Sequence, residues 1–90
     1  MYIMMFGRTT LRLSTTVHYQ LPVGGQVRVV ALDMLGREVA TIAEGYRLAG
    51  YHCATFNGSS FPSGVYFCRL SITPENGKPM TWTRKMVLAK

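Results

Sequence analysis

The 90-residue chain predicts an all-β fold, an immunoglobulin-like antiparallel β-sandwich of about seven strands, on three observations. β-Branched and aromatic residues come in short bursts. Gly, Pro, Asn and Ser separate those bursts about every 8–12 residues, the rhythm of strands and turns. No run has helical period. With 48% hydrophobic and only 16% charged residues, the chain can bury a core rather than stay disordered. One domain accounts for this length. It is expected over residues 10–90, behind a poorly ordered start at 1–9 that has no clear periodicity.

Each element follows from a local pattern. Residues 10–13 read as a short edge strand. Val17, Tyr19 and Leu21 alternate with His18 and Gln20, and Pro22 closes that strand. After the Gly24-Gly25 turn, residues 26–33 place Val27, Val29 and Ala31 on one face. Arg28, Val30 and Leu32 lie on the other, which the arginine marks as outer. Asp33-Met34-Leu35-Gly36 is a tight turn in which Asp33 can accept from amides two residues on and Gly36 supplies a positive φ. Leu35 is expected to plug back into the core. Residues 37–42 form the next strand around Val39, and 44–50 a loop. Residues 51–56 follow, with His52, Ala54 and Phe56 sharing a face.

The segment Asn57-Gly58-Ser59-Ser60-Phe61-Pro62-Ser63-Gly64 turns a corner, with Phe61 tucked beneath. Residues 65–72 are the longest predicted strand. Tyr66, after Gly64-Val65, is placed for a tyrosine corner whose hydroxyl bonds a nearby backbone carbonyl. Asn76-Gly77 marks a hairpin, and residues 80–88 close the fold with Trp82, Met86 and Leu88 inward.

Composition excludes several functions. The net charge of +6 is spread along the chain, with only Arg84 and Lys85 adjacent among ten basic residues. A phosphate-tracking surface needs such charges gathered on one face, so nucleic acid is not an expected partner. No stretch approaches the ~20 apolar residues of a membrane-spanning helix. The apolar residues 1–6 are too short for a signal-peptide core, and Arg8 follows instead of preceding them. Export would need a signal further upstream, in a longer protein.

The acids Asp33, Glu38, Glu44 and Glu75 form no catalytic pair, and no nucleophile or phosphate-loop motif is present. No catalytic residue, cofactor or metal ligand is assigned, and the chain is expected not to be an enzyme. Cys53 and Cys68 have no zinc-type spacing, although with His18 and His52 they are four possible ligands. A direct hairpin of their strands would set the cysteines opposite each other; strands in different sheets would leave two free thiols.

Several blocks, in order, carry a resemblance. They are Thr15-Thr16-Val17-His18-Tyr19-Gln20-Leu21-Pro22 and Val29 to Asp33 running into Met34-Leu35-Gly36-Arg37-Glu38-Val39. Further on come Ala49-Gly50-Tyr51-His52, Phe56-Asn57-Gly58, Ser63-Gly64-Val65-Tyr66-Phe67-Cys68-Arg69-Leu70 and Thr83-Arg84-Lys85-Met86-Val87-Leu88-Ala89-Lys90. Together they resemble the type A C-terminal sorting domains of type IX secretion, and the pattern is shared with the immunoglobulin-like domain of the flagellar hook-capping protein. Family members open with an Asn-Pro-rich segment before the Thr-Thr pair. Arg8 to Ser14 has neither residue, which predicts an altered or absent first strand.

The resemblance implies a non-catalytic sorting and anchoring domain. It would direct an exported cargo through the periplasm to the cell surface, with the outer-membrane secretion machinery and an upstream cargo domain as partners. The implied structural motif is Asp33, Leu35, Gly36, Gly64 and Tyr66. The implied recognition element is the terminal strand, Lys85, Met86, Val87, Leu88 and Lys90, accessible as a sheet edge. The alternative is an immunoglobulin-like interaction or scaffolding module of an extracellular or hook-type assembly, self-associating through edge strands or an outward apolar patch of Val30, Leu32 and Phe67.

Overall fold

In the computed structural model the described residues are 3–6, 10–11 and 14–88. Eight strands are present among them: β1 (Ile3–Phe6), β2 (Thr10–Leu11), β3 (Ser14–Leu21), β4 (Gly25–Leu32), β5 (Glu38–Arg47), β6 (Gly50–Asn57), β7 (Gly64–Pro74) and β8 (Met80–Leu88). They form a three-stranded sheet, β1-β3-β6, and a five-stranded sheet, β2-β8-β7-β4-β5. Every pairing is antiparallel except the two-residue contact of β2 with the end of β8. The two sheets pack as a sandwich of immunoglobulin-like type, as the strand rhythm predicts. No helix among the described residues is long and apolar enough to cross a membrane.

The core is the product of strand alternation. Val17, Tyr19, Leu21 and Phe56 come from the smaller sheet; Val27, Val29, Ala31, Cys68, Leu70, Ile72, Met86 and Leu88 come from the larger. Side chains two apart share a face, so each strand delivers its apolar set to one side. Trp82 packs half-buried against this cluster, as its parity predicts.

Four features depart from the sequence-based expectations. The segment expected to be an unordered start carries β1, whose Ile3 to Phe6 pair with Gln20 to Val17. An open edge on β3 supplies what the segment's own pattern does not: a partner for its backbone. β5 runs to Arg47, through what reads as a loop, and leaves only Leu48 and Ala49 to turn into β6. Register shifts at Val29/Val30 and Ala31/Leu32 put extra residues into β5, so its apolar positions 39, 40, 42 and 43 do not alternate. Bulges erase the period-two signal while keeping the strand.

The third and fourth concern apolar residues read from parity or turn position. Val30 and Leu32 are on the outer sheet face but are only 1% and 7% exposed, so the outward patch does not exist in that form. A charge network closes over them. Arg28 holds Glu38 bidentately at 2.8 Å and donates from Nε to Glu44 at 2.9 Å, while Arg69 donates to Glu38 at 3.0 Å. Arg69 is the register partner of Val30, and Glu38 that of Leu32, so the arginine stems span the valine and cover it. Leu35, expected as a core plug, is 77% exposed. It lies in the turn between β4 and β5, with its side chain in solvent.

Candidate functional site

The sequence-derived motif residues are brought together at one end of the larger sheet. Leu32, the last residue before the Asp33 turn, pairs with Phe67, and Phe67 pairs with Lys85. One row further Tyr66 pairs with Met86, and two rows beyond that Gly64 pairs with Leu88. The turn after β4, the corner before β7 and the final residues of β8 are therefore neighbours across three strands.

Asp33 organises the turn. Its Oδ1 accepts from the amides of Leu35 and Arg37, both at 2.9 Å, and its Oδ2 accepts from the Arg37 side chain at 2.8 Å. The Arg37 amide bond, with the other donors, holds the carboxyl below its usual range. The backbone closes the ring, with the Asp33 amide donating to Arg37 and the Gly36 amide to Asp33. Gly36 takes φ +81°, a conformation costly for any residue with a Cβ. Held this way, Met34 and Leu35 stand out as an apolar tip.

The corner is built on Tyr66, whose hydroxyl donates to the Pro62 carbonyl at 2.7 Å, as a tyrosine corner requires. Phe61 tucks between Phe56 and Tyr66, at ring-centroid distances of 5.9 and 6.2 Å. Gly58 gives this loop its approach to the terminal strand. A Cβ built there would stand 2.9 Å from Leu88 Cδ1, so the Phe56-Asn57-Gly58 block has a packing reason. Gly64 opens β7 at φ +155°.

Along β8, Lys85 is exposed, Met86 and Leu88 are buried in the core, and Val87 is half-buried. Lys90 lies outside the described residues. Among the described residues the outer edge of β8 pairs with β2 only at Val87 and Leu88. From Met80 to Met86 that edge has no strand beside it among the described residues. The terminal strand thus presents a lateral hydrogen-bonding edge over most of its length, while its last two described residues are covered.

The four possible metal ligands do not meet as a set. Cys68 lies in the core of the larger sheet and His52 points to the core side of the smaller one, where its Nε2–H donates to the Leu48 carbonyl at 2.7 Å and its ring stacks on Tyr19. Among the described residues no three His, Cys, Asp or Glu side chains gather. The cysteines belong to different sheets and form no disulfide with each other, Cys53 exposed and Cys68 buried. Burial pushes the Cys68 thiol up to about 12, leaving it protonated and inert at neutral pH.

One feature has no counterpart in the sequence signals. At the opposite end, a cleft of about 580 Å³ opens between Val23, Gly24, Tyr46, the hairpin from Pro74 to Lys78, and Met80. Its parts come from the β3–β4 turn, the end of β5 and the β7–β8 hairpin, so no local pattern announces it. Compared with protein-family models the chain matches none, and no curated protein matches it.

Proposed function

We propose that the chain is a non-catalytic sorting and anchoring domain that directs an exported protein through type IX secretion to the cell surface. The observation that carries this reading is convergence. Three blocks far apart in sequence, the Asp33 turn, the Gly64-Tyr66 corner and the Lys85–Leu88 strand, meet at one end of the larger sheet. They put an apolar tip at Met34 and Leu35 at the same end of the sheet as the end of β8, whose outer edge, across β7 from the turn, is open up to Met86 among the described residues. A secretion apparatus that reads a folded domain needs a surface specified by folding rather than by a linear epitope, and an unpaired strand edge offers main-chain bonds to a partner.

The test is a fusion of residues 10–90 behind a signal peptide and a reporter, produced in a type IX-competent host. The reporter is expected at the cell surface or in the medium, and retention in the periplasm would refute the reading. Lys85→Glu, at an exposed position of β8, should lower export while leaving the β-type circular dichroism unchanged.

A second reading is an immunoglobulin-like scaffolding module. The observation favouring it is that β5 and most of β8 border the larger sheet without a further strand among the described residues. Strand-on-strand association would then appear as a dimer in sedimentation. Thr81→Lys, on the open stretch of β8, should dissolve it, because a charged side chain on an edge strand disfavours strand addition.

A further inference from the structure

We propose that His18 and Cys53 form a surface site for a soft monovalent d10 metal ion, with copper(I) as the natural probe. The two residues are direct register partners, held opposite each other by the eight-pair ladder between β3 and β6. Both are exposed on the outer face of the smaller sheet. No hydrogen bond or ion pair among the described residues ties up either side chain. Directly opposed residues of antiparallel strands have Cβ atoms about 4.5–5.5 Å apart. A metal bridging a thiolate sulfur and an imidazole nitrogen needs those donors about 4 Å apart, given bonds of about 2.3 and 2.0 Å. Side chains one to three bonds long, rising from such a pair of Cβ atoms, reach that separation without moving the backbone.

The donor set selects the ion. Thiolate is a soft ligand that favours copper(I), and imidazole suits copper as well. Zinc and other ions that want three or four protein ligands find none here: the flanking positions on this face are Thr16, Thr55, Gln20 and Tyr51, and no third His, Cys, Asp or Glu joins the pair among the described residues. Copper(I) is satisfied by two donors. The row across the sheet continues to Met5, the register partner of His18 in β1. Binding forms one metal–sulfur and one metal–nitrogen bond and releases the thiol proton to solvent. The ion stays monovalent, so no oxidant or reductant takes part.

The experiment is an anaerobic titration of the full chain with copper(I) against a colorimetric copper(I) chelator. Thiolate-to-copper absorption in the ultraviolet is a second readout, and dichroism confirms that each variant is folded. One ion per chain is expected. Cys53→Ser should abolish binding, and His18→Ala should weaken it at least about tenfold, the smallest loss seen even for outer-shell partners of metal sites. His52→Ala, on the opposite face, should leave the affinity unchanged. Three results would overturn the assignment: binding retained in Cys53→Ser, equal affinity in His18→Ala, which would mean a simple thiol adduct, or half an ion per chain, which would mean an ion bridging two molecules.

Discussion

The two ends of the sandwich are closed by different means. At the end that gathers the Asp33 turn, the Tyr66 corner and the end of β8, side chains tie down the loops. Asp33 holds two amides and an arginine, Tyr66 holds the Pro62 carbonyl, and Phe61 fills the space between Phe56 and Tyr66. At the other end the turns are short, and the His52 contact to Leu48 and the Arg47 contact to Tyr46 are the side-chain-to-backbone bonds seen there among the described residues. That end leaves an open cleft and the exposed side chains Val23, Tyr46, Leu48 and Tyr51. The difference teaches that strand pairing alone makes the sheets, whereas rigid loops need polar side chains that satisfy backbone groups.

Mutations should separate the ends, and the largest effect is expected where aromatic packing closes the first one. Phe56→Ala should cost about 3–5 kcal/mol in urea unfolding, through the lost ring and the cavity beneath Phe61. Gly58→Ala should cost about 1–3 kcal/mol, because its methyl meets Leu88 in a filled space. Adding Leu88→Val to Gly58→Ala should then cost less than the sum of the single changes, and strict additivity would show that the two residues do not touch.

Smaller effects sharpen the contrast. Tyr66→Phe removes one hydroxyl and its bond to Pro62, and the denaturation midpoint should fall by the equivalent of about 1 kcal/mol with an unchanged slope. The Asp33 carboxyl is depressed in the folded state, so the support it lends the turn is complete above its unfolded value and is lost as pH falls through the folded one. In that acid range the Leu35 and Arg37 amides should exchange faster by NMR, and Asp33→Asn should remove this pH response. Smallest of all, Tyr46→Ala at the open end should stay within about 0.5 kcal/mol of the parent. A loss as large as that of Tyr66→Phe would erase the distinction between the ends.

Much of this was legible before any coordinates. The alternation of Val17, Tyr19 and Leu21, or of Val27, Val29 and Ala31, specifies which face is buried, because side chains two apart point the same way. The Asp33 turn and the Tyr66 corner were legible too, since each is a bond between residues at most four apart in sequence. Leu35 misled because an apolar residue in a four-residue turn carries no sign of whether anything lies beyond the turn to cover it. Val30 and Leu32 misled for the complementary reason: what buries them is a network of Arg28, Glu38, Glu44 and Arg69 drawn from three strands.

Local order along the chain therefore determined the strands, their inward faces and the chemistry of the tight turns, since steric alternation and short-range hydrogen bonds act within a few residues. Only the tertiary arrangement decided that Ile3–Phe6 joins β3, that β5 bulges, that Cys53 and Cys68 part into separate sheets, and that His18 and Cys53 face each other. Those outcomes depend on which edges meet across ten or more intervening residues or through a shifted register, and pairing between distant backbones leaves no periodic trace in either partner.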